Sequence, residues 1–294
     1  MKKIIWFFLL IFIIQNTFSQ VKFDPKQLEL NGNVKSLLEI DYEDPLKEKV
    51  TGYIIYSEFD KNGKIINKTY SNSKNEPSSS KIYHYDINGN DSICHYENKQ
   101  KKLFKTTLTK TVKKNNSLSV TITNLDSTFI QKIVYEYDKS NNLVSKKKYV
   151  KKDTLKDEMK YSYDSANNMT EWKWLNSNDS NTYRRTYEYK KNLLKHETRF
   201  YKERIYLKKK YKYNLNKKIR KVINYNLKDS LTTKIIYSYN KDKVVIRETT
   251  KKENGLKSQY VFKYDNQNNW IELKSFKNKS KTAEYILTRK IEYY

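Results

Sequence analysis

Few residues in this chain carry the side chains that usually do chemistry. Cys94 is its one cysteine, and His84, His95 and His196 are its only histidines. Cys94 and His95 are adjacent, which suggests a thiol nucleophile or a metal pair. In a strand, however, neighbours point to opposite faces, so the two cannot share a proton or a metal. A cysteine also needs a placed base to act as a nucleophile, and the histidines lack zinc-site spacing. Cys94 therefore reads as an ordinary strand residue, and His196, in a lysine-rich strand, as exposed. The aspartates Asp60, Asp86, Asp138, Asp164 and Asp265 invite a calcium reading. A calcium loop converges several oxygen ligands, whereas each of these segments offers one Asp beside Asn and Lys, which suits turn capping better. Glu171 and Glu197 show no special context as a glycosidase-type carboxylate pair. Trp172 and Trp174 share a strand face and Trp270 heads another strand, so these three are the candidate ligand surface, with packing as the competing role. No catalytic, cofactor or metal signature emerges.

The acidic positions belong to a repeated element. In Tyr135–Tyr149, YEYDKSNNLVSKKKY, the rings of Tyr135 and Tyr137 fall on one strand face. Asp138–Asn142 is turn chemistry, since Asp caps backbone N–H groups and Asn tolerates the left-handed conformation. Leu143–Tyr149 returns as a second strand. The unit predicts a β-hairpin with a type I turn plus one left-handed residue. The second aromatic recurs at Phe59, Tyr85, Tyr137, Tyr163, Tyr189, Tyr213, Tyr239 and Tyr264, with gaps of 26, 52, 26, 26, 24, 26 and 25 residues. Where the partner is also aromatic, it is Tyr83, Tyr135, Tyr161, Tyr187, Tyr211, Tyr237 or Phe262. The double gap holds a degenerate copy, Thr109–Asn116, with Thr in place of Tyr. A fixed period in this range marks a repeat architecture.

The segments YHYDINGN (Tyr83–Asn90), YEYDKSNN (Tyr135–Asn142), YSYDSANN (Tyr161–Asn168) and FKYDNQNN (Phe262–Asn269) resemble the YD (tyrosine–aspartate) repeats of RHS-type proteins. The resemblance covers roughly residues 50 to 294. The copies at Tyr189 and Tyr213 read YEYK and YKYN, which questions a strict turn there. RHS proteins that carry toxins continue into a cargo domain after a Pro/Gly-containing core motif. Here the final segment is another aromatic strand, Arg289–Tyr294, so the resemblance implies β-sheet shell material without the toxin.

Residues 1–19 read as a signal peptide: Lys2 and Lys3, the apolar run Ile4–Ile14, then Thr17 and Ser19 before Gln20. Eleven apolar residues are too few to span a bilayer, which takes about 20. Residues 20–50 form an N-terminal capping segment with a turn at Asn31–Asn33, a strand at Val34–Tyr42, and the task of covering the first sheet edge. Residues 51–294 form the repeat domain, with turns alternating between two ends. The prediction is all-β: an antiparallel meander of about 20 strands, curled or spiral because open sheets rarely exceed about ten strands.

The formal net charge of +27 admits polyanionic partners. The lysines are spread through every repeat, however, and lysine on strands also guards against edge-to-edge pairing. Apolar residues make up only 37%, too few for a conventional two-layer globule. Tyr rings and Lys stems suit a thin sheet instead. A single cysteine excludes an intrachain disulfide. The expected function is that of a secreted (periplasmic or extracellular), non-enzymatic repeat protein offering a binding or envelope surface to a glycan, an anionic surface polymer or another protein. Nucleic acid is the less expected partner. The competing expectations are an exported polysaccharide hydrolase and a shell or carrier for a separate toxin.

Overall fold

In a computed structural model, residues 30–42, 53–87, 92–100, 102–124, 126–151, 153–176, 182–241, 245–278 and 280–294 are described. The signal segment and parts of the N-terminal segment lie outside them. The strands are β1 (Val34–Tyr42), β2 (Ile54–Phe59), β3 (Ile65–Ser71), β4 (Pro77–Tyr85), β5 (Ser92–Asn98), β6 (Leu103–Lys114) and β7 (Ser117–Asn124). The middle of the chain forms β8 (Phe129–Tyr137), β9 (Leu143–Lys151), β10 (Thr154–Tyr163), β11 (Met169–Asn176), β12 (Thr182–Lys190), β13 (Leu193–Tyr201) and β14 (Arg204–Tyr213). The last are β15 (Ile219–Tyr225), β16 (Leu231–Tyr239), β17 (Val245–Lys252), β18 (Lys257–Tyr264), β19 (Trp270–Lys277) and β20 (Tyr285–Tyr293).

All twenty strands form one antiparallel meander, as the repeat predicts. The open curled sheet is corrected: β1 pairs with β20 as well as with β2, and the sheet closes into a barrel. Two causes are visible. At the hairpins whose repeated aromatic is Phe59, Tyr137, Tyr163, Tyr189, Tyr213, Tyr239 or Tyr264, the register slips by one residue at that aromatic. Such bulges bend a strand and increase its twist, so repeating them curls the sheet continuously. The two edges then meet and satisfy each other's backbone groups, which removes the exposed edges. Val34–Tyr42 is thus not a cover over the first edge but the strand that abolishes it.

The turns obey the predicted chemistry. Asp138 N–H donates to the Asn142 carbonyl at 2.9 Å, Asn141 N–H returns to the Asp138 carbonyl at 3.0 Å, and Asn141 is left-handed at φ 64°. The Asp carboxylate takes two backbone N–H groups at Asp60, Asp164 and Asp265. At Asp164 the hydrogen bonds from Asn168 hold the carboxyl below its usual range. The two doubtful copies resolve differently. Asn214 replaces Asp in the same loop, accepting from Lys218 N–H at 2.9 Å with Lys217 left-handed. The Lys190 copy shrinks to a two-residue turn with Lys191 and Asn192 both at positive φ. The opposite end of the barrel uses the same device with Asn, at Asn72, Asn98 and Asn226.

Residues directly opposite across antiparallel strands share a face, so register carries the face assignment around the barrel. One face holds the tyrosine pairs together with Leu37, Ser57, Cys94, Glu197, Leu273 and Leu287. The other holds cross-strand charge pairs such as Lys147–Glu136 at 3.1 Å, Arg184–Glu171 at 3.5 Å and Lys263–Glu272 at 2.9 Å. The tyrosine face is the more buried, as on β14, where Leu207, Lys209, Tyr211 and Tyr213 alternate with exposed Tyr206, Lys210 and Lys212. Side chains converge on the concave side of a closed sheet, so the tyrosine face is the inner one.

Six repeats are stapled to the one before them. The second tyrosine of a pair donates its hydroxyl to a carbonyl at the start of the previous return strand. These rungs run Tyr85 to Ile65 (2.7 Å), Tyr163 to Leu143 (2.9 Å) and Tyr189 to Met169 (3.0 Å). They continue Tyr213 to Leu194 (2.7 Å), Tyr239 to Ile219 (2.5 Å) and Tyr264 to Val245 (2.6 Å). Those accepting carbonyls lie beside the bulges, which is where ladder bonds are lost. The tyrosine period is therefore set by hydrogen bonding as well as by packing. Tyr189→Phe is expected to cost about 1 kcal/mol, the net worth of one such bond, read as a lower midpoint in guanidinium unfolding with an unchanged slope.

A separate clasp fastens the seam. Asn269 Nδ2 donates to the Asn31 carbonyl at 2.9 Å and to the Tyr293 hydroxyl at 2.6 Å, while Asn31 N–H donates to Asn269 Oδ1 at 2.6 Å. Tyr293 in turn donates to Asp265 Oδ2 at 2.5 Å. Gly32 is required here: its φ is +80°, and an added Cβ would sit 3.4 Å from the Tyr293 ring. The last repeat's capping turn thus holds the first strand.

Candidate functional site

The inner face carries three groupings. The first is an aromatic ribbon, in which Trp174 lies 5.5 Å from Tyr183, and Tyr183 4.9 Å from Tyr201, between ring centroids. These three residues face one another across β11, β12 and β13, and Tyr183 and Tyr201 keep more than a third of their surface open. Of the expected ligand residues, Trp174 belongs to this ribbon. Trp172 shares its face but packs against the Tyr187–Leu194–Tyr211–Val222 core, with the Arg185 guanidinium 4.7 Å above its ring. Trp270 is buried, its ring 3.5 Å beneath the Arg289 guanidinium. It supports the seam.

The second grouping is a lysine–tyrosine checkerboard on β3 to β6. Lys68 stands 5.4 Å from the Tyr70 ring centre, and Lys81 lies 5.7 Å from Tyr70 and 5.3 Å from Tyr96. Lys105 lies 5.6 Å from Tyr96. Lys68 is directly opposite Lys81, and Tyr96 is opposite both Lys81 and Lys105.

The third consists of buried charges. Glu197, 1% exposed, accepts from Arg199 Nε at 2.5 Å and from the Tyr211 hydroxyl at 2.5 Å, with Lys209 Nζ at 3.8 Å. Burial alone would raise its pKa, but Lys209 and Arg199 hold it below the usual carboxylate value. At the seam, Arg289 Nε donates to Glu39 Oε1 at 3.1 Å, and the Arg289 side chain is fully buried. Glu248 lies between Tyr237 and Tyr260 on the same face, and burial pushes its carboxyl up to about 7. A carboxyl raised in the folded state favours folding fully below its unfolded pKa, near 4.3, and this contribution is lost as pH rises towards 7. Glu248→Gln is accordingly expected to match the parent's stability near pH 4 and to exceed it at pH 8, measured by denaturant midpoints at both.

The expectations about chemistry sort clearly. Cys94 sits on the inner face opposite Tyr83 and Thr107, while His95 points the other way and meets Thr106 Oγ1 at 3.0 Å. Burial raises the Cys94 thiol pKa, the opposite of what a nucleophile needs. His84 and His95 share the outer face with ring centroids 5.3 Å apart. His196 is exposed, at 3.0 Å from Glu188 Oε2. Glu171, with Lys173 at 3.1 Å and Arg184 at 3.5 Å, is on the outer face, and Glu197 is on the inner one, so they are not a catalytic pair. No group of three metal-type ligands occurs among the described residues.

No family model matches the chain. No curated protein matches it either. Among solved structures, the TcdB2–TccC3 crystal structure without its hypervariable C-terminal region is similar over 82% of this chain at 11% identity and a TM-score of 0.34. The chain spans 15% of that protein's length. A porin-like protein from Bacteroides uniformis is similar over 90% of this chain and 99% of its own, at 8% identity and a TM-score of 0.38. A Bacteroides fragilis protein of unknown function is similar over 42% of this chain and 90% of its own, at 14% identity and a TM-score of 0.26. Likeness this weak carries no argument about function or family. No helix among the described residues is long and apolar enough to cross a membrane.

Proposed function

We propose that this is an exported, non-enzymatic β-barrel whose inner wall binds saccharide chains. The observation that carries the reading is the ribbon Trp174–Tyr183–Tyr201, three rings in one row on the concave face, with Tyr183 and Tyr201 open and Trp174 half-buried. Exposed aromatic surface is costly unless something covers it, and flat rings edged with hydroxyls suit the mixed apolar and polar faces of sugars. The charge pairs along the strands of the outer face argue against a lipid-facing wall, which would present an apolar band. A glycan array and calorimetric titration with the chain lacking residues 1–19 test the proposal. Binding that falls at least tenfold in Trp174→Ala/Tyr183→Ala supports it. An array without hits, or hits indifferent to that pair, overturns it.

A further inference from the structure

The inner wall is not uniform in charge. Strands β2 to β9 contain three acidic residues, Glu58, Glu97 and Glu136. Register puts all three on the outer face, opposite Asn67, Ser80 and Ser145. There Glu58 is bonded to Asn67, Glu97 to Ser80 and Glu136 to Lys147. The inner face of the same strands carries Lys68, Lys81, Lys105, Lys113, Lys146 and Lys148, and the carboxylate that register brings nearest is Asp157 of β10, opposite Lys148 and away from the Lys68, Lys81 and Lys105 end. Their neighbours are instead tyrosines, with Lys146 5.5 Å from the Tyr135 ring, and a run of hydroxyls from Ser57, Ser79, Ser92, Thr107 and Thr109. Elsewhere on the wall Arg199, Lys209 and Arg289 each have Glu197 or Glu39 as partner, and Arg185, opposite Arg199, lies over the Trp172 ring.

Like charges directly opposite in a sheet are destabilising, yet Lys68 faces Lys81. We propose that this stretch is an anionic subsite, and that the occupant is an acidic polysaccharide carrying carboxylate or sulfate groups. The assignment rests on the saccharide-binding reading above and deepens it. Lysines one strand apart and two strands apart, roughly 5 and 10 Å, offer ammonium groups at intervals along an extended chain, and the hydroxyl-bearing residues between them match a polyhydroxylated ligand. A single-stranded nucleic acid would need uncovered ring faces for its bases. Here Tyr70 and Tyr96 are each bracketed by two ammonium groups.

The test uses the chain lacking residues 1–19 with oligogalacturonate, dextran sulfate, neutral dextran and single-stranded DNA as probes, across a salt series. Lys68→Gln/Lys81→Gln/Lys105→Gln is compared with an outer-face triple of equal charge change, Lys110→Gln/Lys132→Gln/Lys210→Gln. The inner triple is expected to weaken the acidic saccharides at least tenfold and to shallow the log–log salt slope by about two to three, roughly one per lysine. The outer triple should change affinity less than twofold. The inner triple should also melt higher than the parent, which separates lost binding from lost folding. Equal losses in both triples, DNA binding as tight as the saccharides, or no acidic binding in the parent would each overturn the subsite. Neutral glycans that still bind through Trp174 and Tyr183 would leave the broader reading standing.

Discussion

Glu197→Ala is expected to destabilise the barrel by about 3–5 kcal/mol, the scale of breaking a buried ion pair from one side. Removing this carboxylate strands three groups at once. Arg199 loses its 2.5 Å partner, Tyr211 loses the acceptor of its hydroxyl, and Lys209 loses the carboxylate 3.8 Å from its Nζ. The alanine also leaves a void beside Tyr187, directly opposite on β12, and the buried Tyr211. Denaturant midpoints and thermal melts would register the loss. Adding Arg199→Gln should recover part of it, because the second change removes the charge that the first left unpaired. A loss under about 1 kcal/mol would mean that water reaches this cluster and screens it.

Arg289→Ala is the second large effect, of the same order and at a different place. The guanidinium is fully buried, stacked 3.5 Å over Trp270 and bonded to Glu39 across the β1–β20 seam. Without it, Glu39 is a buried charge beside Asp41 on the same strand face, and Trp270 loses its covering layer. Arg289→Lys should recover little, since an ammonium cannot both lie flat on an indole and reach Glu39 with a planar fork. Glu39→Gln/Arg289→Met should be far less harmful than Arg289→Ala alone. Because the pair spans the closure, tryptophan fluorescence should report loosening at Trp270 before global unfolding.

Much of this fold was legible in the chain itself. The spacing of Tyr137, Tyr163 and Tyr189 revealed the hairpins, and Asp138 with Asn141 revealed the turn type. Both signals are local, carried within a few residues of each other. Closure was not legible, because the contacts that decide it, Asn31 with Asn269 and Glu39 with Arg289, join residues more than 230 positions apart. The bulge at the second aromatic of seven hairpins is a local feature that curls the sheet. Lysines looked evenly spread along the sequence. Alternation plus register sorts neighbouring lysines to opposite faces, as with Lys147, paired with Glu136 outside, and Lys146, beside the Tyr135 ring inside. In the sequence Glu197 is an unremarkable carboxylate. Placing it opposite Tyr187 on the tyrosine face would have marked it as buried, but that placement depends on the slip between Glu188 and Tyr189.

The joining of β1 to β20 is what turns a repeat ribbon into a vessel, and one cross-link tests it. Leu38 and Lys290 are directly opposite across that seam on the outer face, where paired Cα atoms lie about 4.5–5.5 Å apart, within disulfide reach. In a Cys94→Ser background, Leu38→Cys/Lys290→Cys should oxidise to an intramolecular disulfide in high yield at low protein concentration. The closed barrel predicts a monomeric product that runs faster on non-reducing gels and melts higher than its reduced form. Two free thiols under the same conditions, or disulfides formed only between chains, would show that the first and last strands do not meet.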